Sequence, residues 1–286
     1  MKLITWNIQW GRGCDRRVNL ARIGRVLRET ADADVLCLQE VAVNFPDLAG
    51  SSGEDQVALL SSAFAGYSAH FGSGTDLPDG RGGRSRFGNL VLSRLPVLQV
   101  WRHLLPWPAD PAVPSMQRVC VEAVVAAARG PLRVMTTHLE YYSAHQRAEQ
   151  VAALRALHRT ACEHARRPRR GGAGGASDPT FAVLPRPVSA VLCGDFNYPP
   201  EAPEHPQLLA AFADGTPAWR DAWRIACPGV AHADTVGLHG ADWPDHPFCC
   251  DYICVSEDLA ERVSEVRVNQ QTDASDHQPV LLELDA

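Results

Sequence analysis

Lysine is almost absent from this chain: of its 27 basic residues, only Lys2 is not arginine. Arginine suits bidentate phosphate contacts. The same bias accompanies the abundance of Ala, Gly and Pro that a GC-rich gene produces, and that plainer reading is preferred. Charge of either sign is sparse at 21% of residues, too little for a disordered chain, and 45% hydrophobic residues are enough for a core. The net charge of -6 excludes a general attraction to nucleic acid or anionic membrane and leaves room only for a local basic patch. No run approaches the ~18 apolar residues of a membrane span, and "MKLITWNIQW" has no apolar stretch of signal-peptide length. Repeated CxxC pairs are missing too. Most of the nine cysteines sit in apolar runs such as "DVLCLQE", where Cys acts as a small hydrophobe. The cluster "HPFCCDYIC", with His246, Cys249, Cys250 and Cys254, departs from common zinc spacings, and period two places Cys250, Tyr252 and Cys254 on one strand face. These absences predict a cytoplasmic monomer in a reducing compartment, with no evident protein partner.

What is present is an α/β pattern. "KLITWNI" (2–8) alternates as a strand, residues 16–30 carry helical spacing, and "ADVLCLQEV" (33–41) is a continuous apolar run typical of a buried strand. A helix is expected within 53–64, and "TDLPDGRGGRSRFGN" (75–89) reads as a Gly- and Arg-rich loop. Strands follow at 89–94, 118–127 and 132–140, the last two joined as a hairpin at Gly130-Pro131. Residues 144–165 place Ala148, Val151, Leu154, Leu157 and Ala161 on one helical stripe. Further strands are expected in "PVSAVLCGDF", at 248–255 and at 279–284. One domain spanning 1–286 is expected, with strands in the centre, helices outside and a flexible Gly/Arg/Pro insertion at 168–179.

Polar residues recur where these apolar runs end. Asn7, Glu40, His138, Asp195 and Asn197 each close a run; Asp251 opens one; Asp276 and His277 stand just before the last. Singly, each reads as a turn former, a cap or a solvated loop residue. Ordinary turns do not predict the recurrence. In layered α/β folds, strand ends gathered on one edge build a ligand site. Carboxylates gathered there repel one another unless a cation neutralises them. Oxygen ligands favour a hard ion, Mg²⁺ or Mn²⁺. With histidines alongside to move protons, the chemistry indicated is hydrolysis of a phosphate ester.

"TWNIQ", "LCLQEV", "FGNLVLSRLPV", "MTTHLEYYSAHQRAEQ", "CGDFNYPP", "DYICVS" and "SDHQPV" together resemble the endonuclease/exonuclease/phosphatase superfamily, the DNase I-like, metal-dependent phosphoesterases. They occur in the family's order over almost the whole chain. The resemblance implies a four-layer α/β sandwich, two face-to-face β-sheets flanked by helices, with the active site at one edge. It assigns Glu40, Asn7 and Asp276 to the metal, and Asp195 and Asn197 to the attacking water. It assigns His277 to the scissile phosphate, Asp251 to pairing with that histidine, and His138 to a second histidine position. One departure is Cys249, which stands where the family often has arginine.

The expected activity is Mg²⁺-dependent hydrolysis of a phosphodiester, nuclease-like, by in-line water attack. Alternatives are a phosphomonoesterase, a phospholipid or phosphoinositide hydrolase, and a non-catalytic nucleic-acid binder; the complete motif set speaks against the last. The substrate is a phosphoester, with nucleic acid one candidate. Arg81, Arg84, Arg86 and Asn89 are candidate substrate contacts, although their Gly-rich loop reads equally well as solvated surface. Trp10 reads equally as a base-stacking or a core residue. Arg166, Arg167, Arg169 and Arg170 form the densest basic run, most simply a solvated one.

Overall fold

The structure, a computed structural model, describes residues 1–167, 180, 182 and 184–286. The expected insertion at 168–179 lies outside the described residues. In chain order the elements are β1 (Lys2–Asn7), α1 (Leu20–Thr30), β2 (Val35–Val43), α2 (Gln56–Ala63), β3 (Ser68–Pro78), β4 (Arg84–Ser93), β5 (Val97–Leu104) and β6 (Val119–Ala127). They continue with β7 (Gly130–His138), α3 (Ala144–Arg166), β8 (Ala190–Asp195), α4 (Glu204–Leu209), β9 (Trp219–Asp221), α5 (Ala222–Ala226), β10 (Asp251–Ser256), β11 (Val263–Val268) and β12 (Val280–Leu284).

Two six-stranded sheets result, ordered β11-β12-β1-β2-β4-β3 and β5-β6-β7-β8-β10-β9. Each inner strand is apolar on both faces, and its side chains alternate between two cores. Leu3, Val35, Cys37, Val191 and Cys193 meet in the core between the sheets. Ile4, Trp6, Leu36 and Leu38 face outward under α1, which contributes Ile23, Val26 and Leu27. Ala190 and Leu192 face outward under α3, which contributes Val151 and Leu154. The four layers are therefore helices, sheet, sheet, helices, as the family resemblance implies.

In each sheet one parallel pair is joined through a helix: β1 to β2 by way of α1, and β7 to β8 by way of α3. Their carboxyl ends share one edge. The antiparallel neighbours β12 and β10 begin at that same edge. All the polar strand ends named above are thereby brought to one side of the molecule.

Two expectations need correction. Residues 75–89 are not a loop: β3 and β4 pair from Ser68↔Ser93 to Pro78↔Arg84, and only 79–83 turn. The turn is closed by Asp79 Oδ1, which accepts from the amides of Arg81 and Gly83 at 2.8 Å each. The ladder's hydrogen bonds outweigh the loop-like composition. The first helix begins at Leu20, not at 16, because Asn19 caps it by accepting from the Arg22 amide at 2.9 Å. Strands β3, β5, β9 and β11 add to those expected from the sequence.

Candidate functional site

Asp195 ends β8 in a register row with His138 of β7 and Asp251 of β10. Gly194, just before it, has φ +140°, and a Cβ there would lie 1.9 Å from the Thr137 carbonyl oxygen. Only glycine lets β7 and β8 close at this point. Asn197, two residues on, has φ +55°, a left-handed conformation that asparagine tolerates. Its amide nitrogen donates to Asp195 Oδ1 at 2.9 Å, the local turn expected of an Asp.

Glu40 reaches the site by an irregularity. The β2–β4 register breaks between Leu38 and Val41, and Glu40 takes φ +57°. This bulge turns its side chain out of the strand's alternation and toward the sheet edge. Its neighbour Gln39 stays buried and donates to Thr5 Oγ1 at 3.1 Å and to Thr136 Oγ1 at 2.8 Å, tying the two sheets behind the site.

The centre is Asp195 Oδ2. Asn7 Nδ2 donates to it at 2.9 Å and to Glu40 Oε1 at 3.1 Å. His138 Nε2 stands 3.4 Å and His277 Nε2 3.7 Å from the same oxygen. His277 Nδ1 is 2.8 Å from Asp251 Oδ2, and Thr235 Oγ1 donates to that oxygen at 2.7 Å. Asp276 completes the ring: Gln9 Nε2 donates to its Oδ2 at 2.6 Å and Ser275 Oγ to its Oδ1 at 3.2 Å. All eight residues assigned to the metal or the chemistry thus lie together, and except for Glu40 and Asn197 they are buried.

The two histidines have opposite electrostatics. Burial disfavours charge on His277, but the carboxylates of Asp251, Asp195 and Asp276 outweigh it and raise its pKa well above the ordinary value. It is an imidazolium with Nδ1–H on Asp251. Burial and the Arg118 guanidinium lower His138 to about 3, against the pull of Asp195. It is a neutral imidazole, and its Nε2 accepts from Asn197 Nδ2 at 2.9 Å. The second Asn197 donor goes to the Leu139 carbonyl at 2.9 Å, which leaves the Asn197 amide oxygen to accept from another group.

The donors also fit a hard cation. Burial and Asp276 raise Glu40 to about 7, and burial raises Asp276, with Asp195 adding to it. Burial leaves these carboxylates short of positive compensation, which a divalent ion on Glu40, Asp276 and Asn7 would supply. Asp195, Cys250 and His277 are also mutually close. That trio is a poor ligand set: His277 is protonated, and burial with Asp251 keeps the Cys250 thiol protonated.

The four candidate substrate contacts divide. Asn89 is buried, donates to the Val119 carbonyl at 2.8 Å and lines a small pocket with His138, Arg118 and Gln117. Arg84 lies on the exposed β3–β4 hairpin, paired with Asp76 at 2.7 Å; Arg81 is in its turn, and Arg86 stacks over Phe71. Among the described residues, none of these arginines bonds to the eight. Trp10 is half-buried and donates to the Ala49 carbonyl at 3.0 Å. Arg166 reaches Thr216 Oγ1 at 2.9 Å. Sequence reasoning missed Gln9, Ser275 and Thr235. Gln9 and Ser275 flank motif residues and were findable there; Thr235 lies in "HADTVG", which carries no periodic signal.

No curated protein matches the chain in sequence. Among solved structures, an endonuclease/exonuclease/phosphatase from Beutenbergia cavernae superposes with a TM-score of 0.69 at 24% identity, covering 99% of this chain and 70% of its own. A 3′ phosphatase from Neisseria, bound to a product DNA hairpin, gives 0.62 at 20% identity, with 100% of both chains covered. A mannosyl-6-phosphatase from Bacteroides thetaiotaomicron gives 0.63 at 16%, again with 100% of both covered. The profile of the Endonuclease/Exonuclease/phosphatase family matches residues 4–277, a span that holds every residue of the site. The chain belongs to that family and is a phosphoester hydrolase.

Proposed function

We propose that the chain hydrolyses a phosphodiester with Mg²⁺ as its ion, Mn²⁺ being able to replace it. The observation that carries this reading is the single oxygen Asp195 Oδ2, approached by one amide, one neutral imidazole and one imidazolium beside two further carboxylates. Glu40, Asp276 and Asn7 would hold the ion, which when bound neutralises charge on the phosphate and the leaving oxygen.

The chain's own groups do the rest. Asp195, oriented by Asn7 and by the Asn197 amide, accepts the proton of the attacking water. The free Asn197 oxygen accepts that water's second hydrogen. His277, held charged by Asp251, donates from Nε2 to a non-bridging phosphate oxygen. His138 is neutral, so it positions Asn197 and the phosphate and does not act as the acid.

One charge feature favours a diester over a monoester. The guanidinium that acts on His138, that of Arg118, is already paired with Glu140 at 3.1 Å. Apart from the metal, the positive charge that the described residues would supply to the phosphate is that of His277, which matches a monoanionic diester better than a dianionic monoester. The DNA bound by the Neisseria relative makes nucleic acid the first substrate to try. All nine cysteines are free thiols, which suits a reducing cytoplasmic compartment.

The test is a panel at fixed Mg²⁺: single-stranded DNA, abasic duplex, RNA, phosphoinositides, sphingomyelin, a chromogenic diester and a chromogenic monoester. Diester cleavage that Asp195→Asn removes is the expected result. Preference for the monoester, or turnover in Asp195→Asn near that of the parent, overturns the reading.

A further inference from the structure

A second convergence of ligating side chains lies on the other side of Tyr252 and takes no part in the chemistry above. His205 is on α4, Asp221 ends β9 and caps α5, and His232 follows α5. The Nε2 atoms of both histidines point at one oxygen, Asp221 Oδ2, from 3.2 Å for His205 and 2.7 Å for His232. The three ligand atoms all lie within 4.8 Å of one another. Asp221 and His205 are buried, and His232 is nearly so.

With bonds of roughly 2.0–2.2 Å, the nitrogen and oxygen ligands of a tetrahedral ion stand about 3.3–3.6 Å apart. His205 is near that spacing, and His232, now at hydrogen-bond distance, would open by roughly 0.6 Å or more to reach it. The set is prepared in two further ways. Asp221 is fixed by its other oxygen, Oδ1, which accepts from the amides of Trp223 at 2.9 Å and Arg224 at 3.5 Å. Both rings are walled by aromatics: Tyr252 is 4.9 Å from His205 and 5.5 Å from His232 between centroids, and Trp223 stacks on His232 at 6.0 Å. A small cavity of about 10 Å³, bordered by Asp221, His232, Thr235, Cys249 and Asp251, opens beside the set, about the space that one water needs.

We propose that His205, Asp221 and His232 form a binding site for a borderline divalent cation of the zinc class, separate from the catalytic ion. Two imidazoles and one carboxylate suit Zn²⁺, Co²⁺ or Ni²⁺ and are the wrong donors for Mg²⁺, which takes oxygen. The catalytic edge, with its carboxylates and amide, has the opposite preference, so the two sites sort the two kinds of ion. The bound cation ties α4 and β9 to the segment at 232–235. That segment ends in Thr235, whose hydroxyl holds Asp251.

The test uses the full chain stripped of metal, titrated with Zn²⁺ in excess Mg²⁺ and then passed through gel filtration for metal analysis. The parent and Glu40→Gln should each retain one zinc. His232→Gln and Asp221→Asn should lose affinity by more than the roughly 10–100-fold that removing a mere outer partner costs. Co²⁺ in place of Zn²⁺ should give the intense visible bands of a tetrahedral site in the parent and in Glu40→Gln, which serves if the other variants do not fold. A parent that retains no zinc, or zinc bound equally well by folded His232→Gln, refutes the site. Zinc or cobalt signals lost only in Glu40→Gln would place the ion in the catalytic centre and refute it equally.

Discussion

Replacing Asp251 by Asn changes one charge and almost no volume, and so isolates what the carboxylate does for His277. Asp251 Oδ2 accepts from His277 Nδ1 at 2.8 Å and from Thr235 Oγ1 at 2.7 Å, and both Asp251 and His277 are buried. The asparagine oxygen can still accept from Nδ1–H, so the ring keeps its place. What is lost is the difference between a charge-assisted and a neutral hydrogen bond, about 1–1.5 kcal/mol. Put into the proposed donation from His277 to phosphate, that lowers kcat by roughly 5- to 13-fold. Asp251→Ala goes further, since it leaves a buried imidazolium unpaired, and it should cost about 3–5 kcal/mol of stability as well. Thr235→Val removes one neutral donor, worth about 1 kcal/mol, and should slow turnover by about fivefold. The assay is initial rate on a chromogenic diester at saturating Mg²⁺, with kcat and KM separated and a thermal melt for each variant. The order should be parent, Thr235→Val, Asp251→Asn, Asp251→Ala. An Asp251→Asn enzyme with kcat within twofold of the parent, or one whose loss follows a lowered Tm, would show that the carboxylate does not charge His277 for catalysis.

Other expectations follow from the same coordinates. Gly194→Ala places a Cβ 1.9 Å from the Thr137 oxygen at φ +140°, so it should destabilise by at least about 3 kcal/mol, a Tm fall of about 5 °C or more; an unchanged melt would mean that β7 and β8 part without cost. His158 accepts from Arg133 at Nδ1 (2.7 Å) and donates from Nε2 to the Pro217 carbonyl (2.9 Å), and burial with Arg133 lowers it to about 4. The unfolded chain therefore binds the extra proton first, and up to about 3 kcal/mol of stability, full above pH 6.5, is lost as pH falls toward 4. Denaturant titrations of the parent and His158→Gln should diverge in that window, and parallel curves would contradict the assignment. EDTA should abolish turnover and Mg²⁺ or Mn²⁺ restore it, with Asp276→Asn needing more metal; activity that persists in chelator removes the metal from the mechanism.

What the sequence concealed has a common cause. Strands β3, β5, β9 and β11, absent from the sequence reading, are the four outermost strands of the two sheets. An outermost strand is half-solvated, so it carries neither the continuous apolar run of an inner strand nor a strict alternation. β3 shows this: Ser68, Ala69, Asp76, Leu77 and Pro78 are exposed, and its glycines stand where Val121 side-chain and Gln117 backbone atoms come close. Inner strands, by contrast, announce themselves in "LITW", "VLCL" and "AVLC" because both of their faces are covered. The bulge that turns Glu40 into the site was illegible for a related reason. Alternation says which face a residue takes, and a positive φ at one position overrides it without leaving a mark in composition.

The position of each polar residue relative to its apolar run carries information that composition does not. Asn7, Glu40, His138 and Asp195 come late in theirs, whereas Asp251, Asp276 and His277 come early or just before. If all seven are to share one edge, the first four strands must run toward it and the last two away from it. That is the observed arrangement: β1 with β2 and β7 with β8 are parallel pairs, and β12 and β10 are antiparallel to β1 and β8. Strand direction was thus encoded in the polar residues themselves, before any pairing was known. Direction alone does not fix distance, however. The site closes because Gly194 lets two backbones meet at a spacing that any side chain would forbid, and because Asn7, at the end of a strand in the other sheet, reaches both Glu40 and Asp195. The proposed catalytic centre is therefore a property of the interface between the sheets, and variants that shift one sheet against the other should impair turnover even where they touch none of the eight residues.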